Sequence, residues 1–170
     1  MDQRVGFGYD VHRVAPGRPL VLGGVRFDSA WGLEGHSDAD VLLHAIGDAL
    51  LGAAALGDLG THFPPDDPQW KDVSSLELLR RIRALIEARG ARIVNVDATL
   101  LAESPRLAPV RAQMCGHIAD ALGLAPGRVS VKATTHERLG TIGRGEGLAA
   151  CAVALLEVRA AGGPAGGGVA

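Results

Sequence analysis

The segment from Leu148 to Val158 constrains the fold of this chain more than any other feature of its sequence. It carries one charged side chain, Glu157, in an otherwise apolar run. The run is shorter than the roughly 18 apolar residues that a membrane span requires, and it is typical of a strand buried on both faces. Helices of the same chain can cover one face, so we expect an oligomer in which the sheets of several copies cover the other.

Alternating helix and strand patterns precede this segment. Ser74 and Glu77 form a capping box for a helix that Gly90 closes. Gly23 and Gly24 interrupt an apolar segment, which indicates a β-hairpin or a β-bulge. This order predicts an α+β fold with helices on one face of a mixed β-sheet. The remaining patterns predict strands over residues 5–9, 94–100 and 129–133 and helices over residues 38–56 and 110–122.

Length and composition favour a single catalytic domain. With 170 residues, of which 47% are hydrophobic and 21% charged, the chain is long enough to bury its own core. We predict one domain over residues 1–159 and a disordered Gly/Ala-rich tail over residues 160–170. A net charge of −2 with dispersed Lys and Arg predicts no nucleic-acid partner, and the apolar runs are too short for a membrane partner.

The start of the chain and its two cysteines indicate a cytoplasmic protein. The first residues are polar and lack the pattern of a signal peptide. Cys115 and Cys151 each lie in an apolar segment, which favours buried, reduced thiols. The alternative is a disulfide between them.

Asp10, His12 and His44 form a candidate metal site. Asp10 and His12 are two residues apart in an extended segment, so their side chains point to the same side of the strand. His44 comes from the following helix and completes three ligands of a tetrahedral ion, with the fourth position open, as in catalytic zinc sites. Each piece also has an ordinary explanation, since an aspartate can cap a turn, a histidine can lie on the surface, and Ser37 with Asp40 suits a helix start.

Three further segments carry groups suited to an anionic substrate. Residues 57–71, with three prolines, predict a structureless lid over the substrate. Residues 132–137 are either an edge strand that runs into a turn or a strand end that offers hydroxyls, amides and one carboxylate to phosphates and a second, harder cation. Residues 143–147 predict a tight turn, in which Arg144 can pair with a phosphate or with Glu146 of a neighbouring subunit. No serine or cysteine lies in a setting that indicates covalent catalysis.

Six segments carry a more specific signal when they are taken together. They read YDVH at residues 9–12, GHSDADVLLH at 35–44, DALLGAAALGDLG at 48–60, NVDATLLA at 95–102, KATTHERLG at 132–140 and GRGEG at 143–147. In this order and spacing, over residues 4–158, the chain resembles the family of 2-C-methyl-D-erythritol 2,4-cyclodiphosphate synthases.

The resemblance implies a ferredoxin-like α+β subunit that assembles as a homotrimer with active sites at the subunit interfaces. It implies that 4-diphosphocytidyl-2-C-methyl-D-erythritol 2-phosphate is cyclised with release of CMP, a phosphorus–oxygen lyase reaction of the methylerythritol phosphate route to isoprenoid precursors. It also implies Zn²⁺, or another transition divalent cation, at Asp10, His12 and His44, and Mg²⁺ or Mn²⁺ at Glu137.

The family's other contacts match further residues of this chain. Transition-state contacts match His36 and Thr135. Three positions depart from the family pattern, namely Thr141, the pair Pro65–Asp66, and His136. The implied substrate contacts are Ser37, Asp58, Leu59, Gly60, Phe63, Pro64, Pro65, Asp66 and Asp67 for the phosphates and erythritol, and Ala102, Glu103, Ser104, Pro105, Arg106, Leu107, Ala108, Ala133 and Thr134 for cytidine, with Lys132, Thr141 and Arg144 as further contacts.

Two other functions use the same residues. A zinc-dependent phosphoesterase would release a non-cyclic product, and a non-catalytic trimer would only bind a nucleotide or an isoprenoid diphosphate. Cyclisation agrees best with the residues present, because a phosphate monoester is already anionic at neutral pH and attacks without a general base.

Overall fold

The computed structural model of the protein describes residues 2–158. The predicted tail, residues 160–170, lies outside these residues. In chain order the elements are β1 (Asp2–Pro16), β2 (Leu20–Leu22), β3 (Val25–Phe27), β4 (Trp31–Leu33), α1 (Val41–Ala53), α2 (Leu59–His62), α3 (Ser75–Ala88), β5 (Ala91–Leu101), α4 (Arg111–Leu122), β6 (Val129–Thr134), α5 (Gly140–Gly143) and β7 (Gly147–Val158), with short 3₁₀ turns at Pro68–Trp70 and Pro126–Arg128.

β7, the apolar segment, is the central strand of a five-stranded sheet with the order β4-β1-β7-β5-β6. β5 and β6 are parallel, whereas the other neighbours in this sheet are antiparallel. β2 and β3 form a separate hairpin, which is one of the two alternatives that the glycine pair indicated. α1 packs on β1 and β7, α3 on β5, and α4 on β6, and the helices contact one another in pairs. The prediction of an α+β fold with helices on one face of a mixed sheet is therefore confirmed.

α1 approaches β1 so closely that only glycine fits on the strand. A Cβ atom at Gly6 would overlap the carbonyl oxygen of Ala49 and lie 2.5 Å from the amide nitrogen of Ala53. A Cβ atom at Gly8 would overlap the carbonyl oxygen of Ala45. The clashing atoms belong to the helix backbone, which cannot move aside as a flexible side chain can. This packing sets the distance between α1 and the strand that carries Asp10 and His12.

The other face of the sheet is apolar and exposed in the single chain. Ala154 of β7 is fully buried on the helical side, but Val153 next to it is 42% exposed. The helices cover only one side of the sheet, so the expected burial of β7 on its second face stays a prediction that depends on the oligomer. Four side chains of β1 continue the exposed apolar surface, each more than half exposed, namely Val5, Phe7, Tyr9 and Val11.

α1 begins later and ends earlier than the predicted range of residues 38–56. Its N-cap is Asp40 and not Ser37, since the Asp40 carboxylate accepts a hydrogen bond from the backbone N–H of Leu43 at 3.1 Å. The same carboxylate accepts the N–H groups of both glycines in the β2–β3 turn, at 3.0 and 2.7 Å. Burial raises the pKa of Asp40 to about 6, although these three donors oppose the shift. Asp40 therefore ties the hairpin to α1 and leaves the Ser37 hydroxyl for other partners.

The second predicted helix is confirmed at both ends. Ser74 is the N-cap of α3, with its hydroxyl accepting the N–H of Leu76 at 3.3 Å. Gly90 follows the helix with a φ of +68°, a left-handed conformation that favours glycine. The segment over residues 57–71, which we expected to be structureless, contains α2 and the turn at Pro68–Trp70.

Smaller predictions have mixed outcomes. Cys115 and Cys151 are free thiols, so the disulfide alternative does not occur in this structure. Residues 143–147 do form a turn after α5, and Arg144 pairs with Glu146 of the same chain at 2.6 Å. Within residues 2–158, no helix is both long enough and apolar enough to cross a membrane.

The substitution Gly6→Ala should lower the free energy of unfolding by at least about 2 kcal/mol, because the new methyl group can fit only if β1 separates from α1. Gly116→Ala is the matched control: Gly116 lies within α4, and its added methyl group would meet no atom within 4 Å apart from its chain neighbours and the backbone of its own helix. Alanine should stabilise the helix by about 0.5–1 kcal/mol. Urea unfolding of both variants measures the difference. Equal midpoints for the two variants would contradict the close packing.

Candidate metal centre and substrate cavities

The structure brings Asp10, His12 and His44 together at one point between β1 and α1. Asp10 Oδ2 lies 2.8 Å from Nε2 of His12 and 3.1 Å from Nδ1 of His44. The two imidazole nitrogens are 3.1 Å apart. Among the described residues these three side chains form the group able to hold a metal ion. The sequence-based prediction that they converge is therefore confirmed.

The spacing of these three atoms fits a tetrahedral transition-metal ion. With metal–ligand distances of about 2.0–2.1 Å, the ligand atoms of a tetrahedral zinc site lie roughly 3.3 Å apart. The observed separations of 2.8, 3.1 and 3.1 Å are close to this value. One carboxylate and two imidazoles are also a donor set that zinc prefers. The residues present thus fit the ion that the resemblance implies.

Hydrogen bonding prepares His12 as a ligand. Its Nδ1–H donates to the backbone carbonyl of Glu34 at 2.5 Å, which places the lone pair on Nε2, the atom that faces Asp10 and His44. Metal-bound histidines commonly donate their second N–H to such an acceptor, because the bond fixes the tautomer and the ring orientation.

The electrostatics of the group favour a cation. Burial alone would raise the pKa of Asp10, but hydrogen bonds and charge from His12 and His44 outweigh burial and hold that pKa well below its usual range. Burial alone would lower the pKa of His12, but its contacts with Asp10 and Glu34 raise it. The carboxylate is therefore ionised at neutral pH and attracts positive charge to the point where the two imidazoles meet.

A cavity of about 370 Å³ opens beside the three ligands. Besides the three ligands, six predicted site residues line this cavity, namely His36, Ser37, Leu59, Gly60, Phe63 and Pro65. Four other lid residues that we assigned to substrate, Asp58, Pro64, Asp66 and Asp67, do not line it. The Asp58 carboxylate instead caps α2, because it accepts a hydrogen bond from the backbone N–H of Thr61 at 2.9 Å. The Asp67 carboxylate caps the turn at Pro68–Trp70 in the same way, by accepting the backbone N–H of Gln69 at 3.0 Å.

Sequence reasoning missed several side chains of this cavity. Asp48 lies one turn after His44 on α1, and its carboxylate accepts the N–H of Leu59 at 2.8 Å. Burial raises the pKa of Asp48. Trp70 packs edge-on against Phe63, with ring centroids 5.0 Å apart. The four-residue spacing of His44 and Asp48 was a usable signal, but the contact between Trp70 and Phe63 depends on how the lid folds. Val73 and Leu78 complete the wall.

A second cavity, also of about 370 Å³, lies at the other end of the sheet. It shares no lining residue with the first cavity. β7 and β5 separate β1 from β6 in the sheet, a distance of roughly 14 Å at three strand spacings. One described chain therefore does not bring the predicted cytidine pocket to its own metal ligands. The predicted residues that line the second cavity are Ala102, Glu103, Pro105, Arg106, Leu107, Ala108, Ala133, Thr134 and Thr135.

The remaining predicted contacts lie around this second cavity or beyond it. Thr135 donates its hydroxyl hydrogen to the carboxylate of Glu137 at 2.9 Å. Ser104 lines a neighbouring cavity of about 330 Å³. Lys132 pairs with Asp97 at 2.5 Å. The backbone carbonyl of Thr141 accepts the N–H of Glu146 at 3.0 Å, next to the Arg144–Glu146 pair.

Comparison with known proteins gives one consistent family. The sequence model of the YgbB family matches residues 3–157. The 2-C-methyl-D-erythritol 2,4-cyclodiphosphate synthase of Symbiobacterium thermophilum is 60% identical over 155 residues, which are 91% of this chain and 99% of that protein.

Solved structures agree with the sequence relatives. The IspF–CDP complex of Plasmodium falciparum has a TM-score of 0.81 and 34% identity, over 92% of this chain and 97% of the other. The bifunctional IspDF of Campylobacter jejuni has a TM-score of 0.89 and 41% identity. The alignment covers 93% of this chain but only 43% of that larger protein.

The substitution His44→Ala should weaken Zn²⁺ binding by more than about 100-fold, since loss of a direct ligand costs more than the loss of an outer-shell partner. The parent protein should hold about one zinc per chain. His117→Ala, in α4 and outside the ligand group, is the control and should keep the parent affinity. Competition with a chromophoric chelator measures the zinc affinity of each variant, and elemental analysis measures its zinc content. Parent-like zinc content in the His44 variant would contradict the assignment.

Proposed function

Because this chain belongs to the YgbB family, we propose that it converts 4-diphosphocytidyl-2-C-methyl-D-erythritol 2-phosphate into 2-C-methyl-D-erythritol 2,4-cyclodiphosphate and CMP. The observation that carries the proposal is the convergence of Asp10, His12 and His44 at the wall of a cavity lined by lid residues. The names of the Symbiobacterium synthase and of the CDP-bound Plasmodium structure agree with this reaction.

The proposed reaction is an intramolecular phosphoryl transfer. An oxygen of the 2-phosphate forms a bond to the β-phosphorus, and the bond from that phosphorus to the oxygen it shares with the α-phosphorus breaks. CMP leaves with the electron pair of the broken bond, which makes the enzyme a phosphorus–oxygen lyase. The attacking monoester is already anionic at neutral pH, so the protein must position the groups and neutralise charge. The lack of a nucleophile–base pair in the sequence agrees with this requirement.

Two cations fit the proposal. Zn²⁺, or another transition divalent cation, at Asp10, His12 and His44 would supply Lewis acidity toward the β-phosphoryl group. Mg²⁺ or Mn²⁺ at Glu137 would supply positive charge for the departing CMP. The carboxylate of Glu137 already accepts a hydrogen bond from the Thr135 hydroxyl, so the predicted cation ligand and the predicted transition-state contact lie side by side.

The protein side chains would orient the substrate from two directions. His36 and Ser37 at the metal end would hold oxygens of the transferring phosphate, and Phe63 and Leu59 would enclose the erythritol carbon chain. Thr135 would contact the same phosphate from the second cavity, whose backbone and Ala133 would enclose the cytosine. The remaining contacts proposed are Asp58, Gly60, Pro64, Pro65, Asp66, Asp67, Ala102, Glu103, Ser104, Pro105, Arg106, Leu107, Ala108, Lys132, Thr134, Thr141 and Arg144.

We further propose a homotrimer whose active sites form between subunits. Two observations support it. The metal-side cavity and the second cavity share no lining residue within one chain, and contact between copies would bring one cavity of each kind to the same substrate. The apolar face of β1 and β7 is exposed to water in a single chain, and association of chains would bury it. A threefold arrangement buries this face and joins each metal centre to a neighbour's cytidine pocket.

The proposed location is the cytoplasm. The two free thiols agree with a reducing compartment.

Turnover of the diphosphocytidyl substrate tests the reaction. The parent protein should produce a cyclic diphosphate together with CMP, visible by phosphorus NMR as two coupled resonances, and a chelator should stop the reaction until Zn²⁺ and Mg²⁺ are restored. A non-cyclic phosphate product would indicate the phosphoesterase instead. Nucleotide binding without turnover would indicate the non-catalytic trimer.

The substitution Phe7→Asp should dissociate the proposed trimer, because it places a charge in the middle of the apolar face. Sedimentation should show the parent as three associated 17.5-kDa chains and the variant as one. Leu85→Asp is the control, since Leu85 is a partly exposed leucine of α3, away from this face. A trimeric Phe7 variant would place the interface elsewhere.

A further inference from the structure

We infer that Ser75 is a positioning residue for the metal centre: it holds the imidazole of His44 through a hydrogen-bonded chain that ends at the carboxylate of Asp38. The inference rests on the proposed metal site and adds to it two residues, Ser75 and Asp38, that contribute no ligand atom. Ser75 lies at the first position of α3, whereas His44 lies on α1 and Asp38 in the segment before α1. The chain of contacts thus links the ligand helix to a second helix.

The contacts are short and mostly hidden from solvent. Ser75 Oγ lies 3.0 Å from Nε2 of His44 and 2.5 Å from Oδ1 of Asp38. The second oxygen of the carboxylate, Oδ2, accepts the backbone N–H of Ser75 at 2.9 Å. Ser75 is 1% exposed. A buried hydroxyl needs a hydrogen-bond partner, and here it has one on each side.

The chemistry of the groups fixes the direction of these hydrogen bonds. An ionised carboxylate only accepts, so Ser75 must donate its hydroxyl hydrogen to Asp38. The Ser75 oxygen then has lone pairs left and accepts from Nε2–H of His44. A neutral imidazole with hydrogen on Nε2 keeps its lone pair on Nδ1, and Nδ1 is the atom that lies 3.1 Å from both other ligands. The chain therefore selects the tautomer of His44 that can bind a metal.

His12 shows the same principle with a different acceptor. The His12 nitrogen that faces away from the ligand group, Nδ1, donates to the Glu34 carbonyl. The corresponding nitrogen of His44, Nε2, donates to the Ser75 hydroxyl, which in turn donates to the Asp38 carboxylate. An aspartate that acts through a hydroxyl can raise the basicity of the ligand as well as orient it. Both imidazoles are thereby held with a lone pair toward Asp10.

Local structure leaves Ser75 available for this role. The neighbouring Ser74 is the N-cap of α3 and its hydroxyl accepts the N–H of Leu76, so α3 does not need the Ser75 hydroxyl as its cap. Asp38 also satisfies one of the free N–H groups at the start of α3, where a negative charge is favourable.

A second serine near the same nitrogen has a different role. Ser37 Oγ lies 3.2 Å from Nε2 of His44 and accepts the N–H of Ala39 at 3.3 Å. Nε2 carries a single hydrogen, and the hydroxyl of Ser37 contacts no carboxylate within residues 2–158, in contrast to that of Ser75. Ser37 also lines the metal-side cavity, and Ser75 does not. Ser37 can therefore donate to a substrate oxygen while Ser75 holds the ligand.

Zinc affinity, measured by competition with a chromophoric chelator, tests the role of Ser75 without any turnover. Ser75→Ala should weaken zinc binding by about 10–100-fold, the usual loss for an outer-shell partner. Ser75→Thr, which keeps the hydroxyl, should stay within about threefold of the parent. Two control variants should keep the parent's zinc affinity. Ser74→Ala removes the hydroxyl that caps α3, and Ser37→Ala removes the other hydroxyl near Nε2 of His44. Ser37→Ala should instead raise the KM for substrate.

Two further measurements separate positioning from a general loss of structure. In the zinc-loaded parent the Nε2–H proton of His44 should give a slowly exchanging NMR signal, and Ser75→Ala should lose this signal. The midpoint of urea unfolding should fall by little more in Ser75→Ala than in Ser74→Ala. If Ser75→Ala does not fold, Asp38→Asn serves in its place and should weaken zinc binding several-fold. Zinc affinity within twofold of the parent in the folded variant would overturn the inference. A protein that binds zinc in this way but forms no cyclodiphosphate would leave the inference standing and reject the proposed reaction.

Discussion

α1 lies on β1 at a distance that only glycine side chains allow, and the metal centre depends on this contact. Along the strand, Gly6 faces Ala49 and Ala53, and Gly8 faces Ala45. Strand and helix run in opposite directions here, so the next inward position, Asp10, reaches the level of His44. Larger residues at the two glycines would separate the strand from the helix, and the carboxylate would no longer lie 3.1 Å from the imidazole. Packing of small residues thus sets the geometry of the ligands.

Once the ligands are together, hydrogen bonds decide what they can bind. The protein supplies an acceptor for the distant nitrogen of each imidazole, a carbonyl for His12 and a buried serine for His44. Both remaining lone pairs point toward the carboxylate of Asp10. A cation at this point replaces repulsion between lone pairs with coordination. Outer contacts of this kind distinguish a group that could hold a metal ion from a simple acidic surface.

The distribution of groups over the sheet is the reason that we propose an active site shared between chains. The metal-side cavity belongs to β1, α1 and the lid, whereas the second cavity belongs to β6 and the loop after β5. The uncovered face of the sheet lies between these regions and is apolar. Association through this face would bury the apolar side chains and supply the missing half of each site, so stability and activity would come from the same contact.

The sequence by itself determined most of the longer helices and strands and the three side chains that could hold a metal ion. Periodicity and capping residues act within a few positions, so β7, α3 and the common side of Asp10 and His12 could be predicted. Only the tertiary structure decided that Asp40 caps α1 while it binds the hairpin, that Trp70 folds onto Phe63, and that two cavities lie apart. These features depend on contacts between residues that are far apart in the sequence. Side-chain packing determines those contacts, and no local sequence pattern encodes it.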